Sequence, residues 1–242
     1  MDTSADPRFL VRSDAVHIWR ADLDSEAWTC RLEHLLSSDE IQRANRFRFS
    51  EHRRRFVIAR GCLRILLGGY LNIDAGKVTF TYSSEGKPSL DARHGSNLRF
   101  NVSHSGDIAA LAFASGQEIG VDVEMIRRDL DVEEIPKRFF SLAEQTKLAG
   151  LSGEEKYQGF FNCWTRKEAY VKAVGSGLSL PLRDFDVSLL PGEPAKLLGT
   201  RPDARVADAW SMVSLDFGSQ CAAAVVVEGR IESLEQWQFI VS

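Results

Sequence analysis

The sequence predicts an α+β protein built from two similar halves in a pseudo-twofold arrangement, each an antiparallel sheet packed against a long helix. Apolar residues recur with helical spacing over residues 51–71 and 155–174, which predicts the two long helices. Shorter apolar or alternating segments around them predict strands. The order of strand, small helices, long helix and strands occurs over 16–114 and again over 119–227.

The repeated order places one half at residues 1–116 and the other at residues 117–242. Binding sites in proteins occur preferentially where such units meet. We therefore expect the active site at the seam between the halves.

In the first half, capping and turn residues mark where elements begin and end. Ser37 and Glu40 have the spacing of a capping box, which predicts the start of a short helix. The Gly68-Gly69 pair weakens the end of the long helix, and Ser105-Gly106 predicts a hairpin turn. The predicted strands are 16–20, 77–82, 98–104 and 108–114, and the predicted helices are 28–36, 37–46 and 51–71.

In the second half, alternating apolar residues predict a strand over 119–124. Ser141 and Glu144 form a second capping-box pattern, which we take as the main role of Glu144. The glycines at 175 and 177 end the second long helix. The remaining predicted elements are helices at 132–140, 142–149 and 155–174, and strands at 185–189, 209–215 and 221–227.

Composition argues against several classes of function. The 242 residues are 44% hydrophobic and carry a net charge of −4, so no basic field would recruit nucleic acid. No apolar run is long enough for a membrane span, and the polar N-terminus does not resemble a signal peptide. The cysteines show no paired spacing, and we expect them to be reduced in a cytoplasmic protein; they are Cys30, Cys62, Cys163 and Cys221.

Two charged clusters point to chemistry. Asp122 and Glu124 share one face of the 119–124 strand, and Trp164, Glu168 and Lys172 form one stripe on the second long helix. If strand and helix meet, three carboxylates and an ammonium converge. Hard oxygen ligands with room for water and phosphate suit Mg²⁺, which predicts chemistry on a diphosphate. The plainer interpretation is a solvent-facing strand and a surface ion pair worth a few tenths of a kcal/mol.

Three other groups have both a plain and a functional interpretation. His104 is either a turn residue or, with Asn101 and Ser103, a donor to an anion. Lys87 is held between Gly86 and Pro88, as either a local contact or a phosphate ligand. Arginines at 53–55, 60 and 64 form either a solvated helix face or a surface for an anionic partner.

Taken together, the motifs resemble those of the 4′-phosphopantetheinyl transferases, and specifically the long, single-chain, Sfp-like class. The matching stretches are FNVSHSG at 100–106, IGVDVE at 119–124 and FFNCWTRKEAYVK at 160–172. The EGKP loop at 85–88 and GSGLSLPL at 175–182 extend the match. The resemblance covers roughly residues 37–189. In that class, two similar halves within one chain replace a subunit contact.

The resemblance implies a role for each matched residue. Mg²⁺, or Mn²⁺ in its place, would be held by Asp122, Glu124 and Glu168. Lys172 would contact phosphate and stabilise its charge. The remaining coenzyme A contacts would be Asn101, Ser103, His104 and Lys87, with Arg43 on the adenosine 3′-phosphate. Glu40 stands where some relatives carry a basic residue, which predicts weaker binding of that phosphate.

The implied reaction moves the 4′-phosphopantetheine arm of coenzyme A to a serine of an apo acyl or peptidyl carrier protein and releases 3′,5′-ADP. Glu168 is the candidate base, acting directly or through a metal-bound water. The alternatives are a non-catalytic carrier- or nucleotide-binding module and an Mg²⁺-dependent diphosphate hydrolase. We expect a monomer with pseudo-dimeric halves and no nucleic-acid or membrane partner.

Overall fold

Eleven strands and six α-helices are seen in the computed structural model, which describes residues 6–84 and 86–240. The helices are α1 (Glu26–Glu33), α2 (Ser38–Ala44), α3 (Ser50–Leu71), α4 (Glu134–Phe139), α5 (Leu142–Ala149) and α6 (Gly153–Val174). The strands are β1 (Ala15–Asp22), β2 (Phe80–Tyr82), β3 (Pro88–Leu90), β4 (Leu98–Ser105), β5 (Ile108–Ser115), β6 (Ile119–Met125), β7 (Phe185–Val187), β8 (Leu197–Thr200), β9 (Trp210–Ser214), β10 (Cys221–Glu228) and β11 (Ser233–Gln238). None of the helices in these two ranges is long and apolar enough to cross a bilayer.

Two sheets lie face to face, and a long helix covers the outer face of each. The first sheet has the order β11-β1-β5-β4, and the second has the order β6-β10-β9. Alternate residues of β5 show the layering: Ala110 and Ala112 pack towards the second sheet, whereas Leu111 and Phe113 pack against α3. In the second sheet, α6 covers the face that carries Ala224. The predicted α+β architecture of two helix-covered sheets is confirmed.

Strand β11 was not predicted. It pairs in parallel with β1, whereas the other pairings in both sheets are antiparallel. Four of its six residues are polar and none is fully buried, so the sequence carries little strand signal there. Although β11 lies beyond the proposed boundary after residue 116, it completes the first sheet. That boundary itself stays a prediction.

Most predicted elements are confirmed within one or two residues. Helix α5 has the predicted bounds, and α3 begins one residue before the predicted start. The strand predicted at 77–82 is shorter, because residues 75–77 form a 3₁₀ turn in which the Asp74 carboxylate accepts a hydrogen bond from the Gly76 N–H. The predicted hairpin forms, with its turn one residue later than expected.

The edge strands β4 and β6 lie side by side, joined by side chains. Asn101 Oδ1, Ser103 Oγ and Ser105 Oγ accept hydrogen bonds at 3.0, 3.4 and 3.1 Å from the backbone N–H groups of residues twenty positions later. Side chains two apart share one strand face, so these three form regular rungs. We call this set of contacts the seam.

Glycine at position 120 lets α6 cross β6 at very short range. A Cβ at Gly120 would lie 2.1 Å from the carbonyl oxygen of Ala169 and 2.3 Å from the amide nitrogen of Ala173. Both atoms belong to the helix backbone, which cannot move aside as a flexible side chain could. The predicted meeting of this strand and this helix is therefore confirmed, and only glycine fits at the crossing.

Helix α2 is tied to α3 by a buried carboxylate. The predicted capping box at Ser37 is confirmed, with Glu40 as its acidic member. Glu40 is 2% exposed, and its two oxygens lie 2.9 Å from Arg60 Nε and 2.7 Å from Arg64 Nε. Both guanidinium groups also lie over the ring of Phe80.

The arginines of α3 do not form one basic surface. Arg60 and Arg64 are buried, so they are unavailable to an anionic partner. The three arginines at 53–55 each pair with a carboxylate at 2.5 Å, on Glu33, Asp24 and Glu51 respectively. The surface interpretation of this cluster is therefore wrong for its two buried members.

We predict that Gly120→Ala destabilises the protein, because the added methyl group must push α6 away from β6. The expected loss in the free energy of unfolding is about 1–3 kcal/mol. Urea unfolding measures it. Gly150→Ala is the matched control, since its Cβ would make only an ordinary 3.4 Å contact with the Lys147 carbonyl oxygen. A Gly120→Ala variant as stable as this control would contradict the close crossing.

Candidate functional site

The predicted carboxylates line one cleft beside the seam. Strand β6 contributes Asp122 and Glu124 on the face opposite its valines, and α6 contributes Glu168 and Lys172. The cleft has a volume of about 400 Å³ and is also lined by Val102, Ser103, His104 and Trp164. We call it the carboxylate cleft.

Asp122 is the most deeply buried acid of the cleft, at 4% exposure. Its Oδ1 accepts hydrogen bonds from Lys172 Nζ at 2.7 Å and Ser103 Oγ at 2.8 Å. Its Oδ2 is buried without a hydrogen-bond partner among the described residues. Burial raises the pKa of Asp122 above its usual value, while the positive charge of Lys172 opposes that shift. This oxygen is therefore free to accept a further bond from a group bound in the cleft.

Burial also raises the pKa values of the two glutamates. The negative charge of Asp122 adds to the shift in each, and the charge of Glu124 further raises the pKa of Glu168. Glu124 accepts a hydrogen bond from Ser105 Oγ at 2.7 Å. Three acids with raised pKa values, two of them raised in part by the charge of Asp122, form a site of concentrated negative charge that favours binding of a cation.

The side-chain positions do not themselves form a coordination sphere. Within residues 6–84 and 86–240, no group of three or more His, Cys, Asp and Glu side chains is arranged closely enough to hold a metal ion. Asp122 is instead neutralised by the Lys172 ammonium. The donor set still fits Mg²⁺, because it consists of hard carboxylate oxygens and includes the partnerless oxygen of Asp122.

Lys172 reaches the cleft as its spacing from Glu168 predicted. Besides Asp122, its ammonium donates to Ser103 Oγ at 2.9 Å and to the Val121 carbonyl oxygen at 3.3 Å. These three acceptors fix the position of the charge. The side chain remains 29% exposed, so it also borders the open part of the cleft.

Lys87 lies against the end of α6. Its ammonium donates to the carbonyl oxygen of Lys172 at 2.6 Å and lies 3.6 Å from Glu118. Burial lowers its pKa, and Glu118 counteracts the shift. A cation at a helix C-terminus stabilises the unpaired carbonyl groups there. Lys87 thus ties the 86–88 loop to the helix that carries Lys172, whereas Glu85 of the same motif lies outside the described residues.

The motif around His104 serves both the seam and the cleft. Asn101 uses its amide oxygen in the seam, and Ser103 contacts both Asp122 and Lys172. His104 lies on the other face of β4 and lines the cleft. Its desolvated surroundings, and then the charge of Lys172, lower its pKa. Both effects favour the neutral imidazole, although the residue is exposed to solvent.

Arg43 lines a different pocket. This pocket has a volume of about 650 Å³ and shares none of its described lining residues with the carboxylate cleft. Glu40, one helical turn earlier, is buried between two arginines. Glu40 thus has a structural role, since its carboxylate stabilises buried cations, and its effect on phosphate binding stays a prediction.

A larger cavity, which we did not predict from the sequence, opens beside the cleft. It has a volume of about 700 Å³ and shares Trp164, Glu168 and Lys172 with the cleft. Its far wall comes from the segment after α6, including Leu180 and Leu182. The apolar GSGLSLPL stretch was the available signal. Ser105 was also missed as a site residue, although its two-residue spacing from Ser103 placed it on the same face.

Comparisons with known proteins agree with the resemblance in the motifs. A sequence model described as "4′-phosphopantetheinyl transferase superfamily" matches residues 118–225, and one described as "4′-phosphopantetheinyl transferase, N-terminal" matches residues 19–116. A solved holo-(acyl-carrier-protein) synthase from Bacillus anthracis, in complex with CoA (3′,5′-ADP), aligns with a TM-score of 0.39 and 22% identity. The alignment covers 47% of this chain and 96% of that one.

Curated proteins are similar over more of the chain. The 4′-phosphopantetheinyl transferase Sfp of Bacillus subtilis is 32% identical over 66% of this chain and 69% of its own. A putative 4′-phosphopantetheinyl transferase of Synechocystis sp. is 34% identical over 74% and 72%. The 4′-phosphopantetheinyl transferase HetI of Nostoc sp. is 46% identical over 92% of both chains. The chain therefore belongs to the 4′-phosphopantetheinyl transferase family.

Proposed function

We propose that this enzyme transfers the 4′-phosphopantetheine arm of coenzyme A to a serine of an apo acyl or peptidyl carrier protein and releases 3′,5′-ADP. The observation that carries the proposal is the carboxylate cleft, where a buried aspartate with a partnerless oxygen faces two further acids and a fixed lysine. This arrangement suits the handling of a diphosphate. Family membership supplies the donor and the acceptor.

Asp122, Glu124 and Glu168 would hold Mg²⁺, or Mn²⁺ in its place. The bound ion supplies charge neutralisation to the diphosphate. Lys172 would add a second positive charge beside Asp122, where three acceptors already fix its ammonium. Preorganised charge of this kind stabilises a transition state without reorganisation during the reaction.

Glu168 is the candidate base for the acceptor serine. It borders both the carboxylate cleft and the larger cavity, so it could receive the serine proton directly or through a water. The serine oxygen would bond to the β-phosphorus, and the bridging oxygen would leave with 3′,5′-ADP. The serine proton would pass to Glu168.

The larger cavity would receive the pantetheine arm. The arm is long and uncharged, and the cavity is lined mainly by apolar residues such as Phe139, Val171 and Leu180. Because Glu168 and Lys172 border both spaces, an arm in the cavity would place its phosphate beside the acids. Lys87, Asn101, Ser103 and His104, which lie around these spaces, remain our proposed coenzyme A contacts, and Arg43 remains the proposed contact for the 3′-phosphate.

We place the enzyme in the cytoplasm as a monomer whose two halves meet at the active site. All four cysteines are free, which fits a reducing compartment. The carrier protein and coenzyme A would both be available there.

The first test is product analysis. The enzyme is incubated with coenzyme A, Mg²⁺ and a panel of apo carrier proteins, and the masses of the carriers are measured by mass spectrometry. We expect one phosphopantetheine group on one serine, together with equimolar 3′,5′-ADP. Free phosphopantetheine with unmodified carriers would instead identify a hydrolase, and no turnover of coenzyme A would favour a binding module.

We predict that Asp122→Asn and Glu168→Gln each lower turnover by roughly 100-fold or more, because each removes a proposed ion ligand. Glu124→Gln should be milder, since water can replace a ligand near the strand end. The measurement is activity against Mg²⁺ concentration. Asp186→Asn is the matched control, because that carboxylate pairs with Arg201 at 2.6 Å outside the cleft. Full activity of Asp122→Asn in the presence of a chelator would refute the metal assignment.

We predict that Lys172→Ala lowers kcat far more than it raises the KM for coenzyme A, since its fixed charge is placed to follow the developing charge on phosphate. Steady-state kinetics with varied coenzyme A measure both constants. Lys196→Ala, which removes an exposed lysine elsewhere, controls for the change in net charge. A change confined to the KM would show that Lys172 only binds the ground state.

A further inference from the structure

The two serines of the seam each hold a backbone amide and a carboxylate at once. Ser105 Oγ accepts from the Met125 N–H at 3.1 Å and donates to Glu124 Oε2 at 2.7 Å. Ser103 Oγ accepts from the Val123 N–H at 3.4 Å and donates to Asp122 Oδ1 at 2.8 Å. In both cases the serine belongs to the first half and the acid to the second.

This double use fixes the direction of the Ser105 hydroxyl. A serine hydroxyl has one proton, so a bond to the carboxylate commits that proton while the amide occupies a lone pair. Within the described residues, the Glu124 carboxylate makes no ion pair, and its one hydrogen bond comes from the Ser105 hydroxyl. A glutamate with several rotatable bonds would otherwise turn away from the neighbouring acids that repel it.

We propose that Ser105 is a positioning residue that holds Glu124 in place for the metal ion. The inference rests on the proposed metal site. The Ser105 bond occupies Oε2 and leaves Oε1 without a hydrogen bond among the described residues. Partners of this kind behind metal ligands typically change metal affinity by about 10–100-fold when they are removed.

The third rung of the seam holds a backbone amide but orients no carboxylate. Asn101 bonds the Val121 amide in the same register, but the preceding residue is Gly120, which has no side chain to orient. Loss of the Asn101 rung therefore weakens the seam and frees no carboxylate. A purely structural role for Ser105 would make the two rungs behave alike.

The test is a titration of the full-length protein with Mn²⁺ in the presence of coenzyme A, in which binding is monitored by electron paramagnetic resonance. We expect Ser105→Ala to weaken Mn²⁺ binding about 10-fold. Ser105→Thr, which keeps the hydroxyl, should restore most of the affinity. Ser211→Ala, which removes a serine hydrogen bond to the Gly229 carbonyl oxygen outside the cleft, should leave the Mn²⁺ affinity within about twofold of the unmutated protein. Asn101→Ala should lower the thermal unfolding temperature.

A double-mutant cycle with Glu124→Ala separates positioning from stability. Once Glu124 is absent, Ser105→Ala should no longer change Mn²⁺ affinity, yet it should still lower the unfolding temperature by losing the Met125 amide bond. An equal loss of Mn²⁺ affinity with and without Glu124 would overturn the proposal, as would unchanged affinity in Ser105→Ala. If the unmutated protein binds no Mn²⁺, the metal site of the proposed function is wrong, and this inference is wrong with it.

Discussion

The site depends on the close crossing of α6 over β6. Because Gly120 has no side chain, the backbones of helix and strand nearly touch. The turn of α6 that makes the crossing also carries Lys172, whose ammonium lies 2.7 Å from Asp122 Oδ1. A wider crossing would leave an aspartate buried without its counter-charge, which is costly in a protein interior. The position of one glycine therefore fixes both the packing and the electrostatics of the cleft.

The first half of the chain completes a site whose acids all belong to the second. Strand β4 supplies serine hydroxyls to Asp122 and Glu124, and the 86–88 loop supplies Lys87 to the end of α6. Neither half alone provides both the carboxylates and their supports. The family motifs in the two halves are thus parts of one hydrogen-bonded unit, and the seam side chains connect them where a backbone ladder is missing.

Sequence reasoning was most successful where the pattern is local. The stripe on α6 and the alternating face of β6 follow directly from helix and strand periods, so their residues were found. It failed where the partner is distant. Nothing near Glu40 indicates Arg64, which buries it, and nothing near Lys87 indicates the carbonyl group of Lys172. Strand β11 was missed for the same reason, since its pairing with β1 is created by the fold and four of its six residues are polar.

The pairing of β11 with β1 sets an order of events during synthesis. β1 leaves the ribosome early, but the neighbour that covers one of its edges is made only after both long helices. An uncovered strand edge can pair with other chains, so the nascent protein carries this exposed edge through most of its translation. The last pairing also stacks Trp237 on Trp19, with ring centroids 4.8 Å apart. The last strand of the chain therefore completes the first sheet.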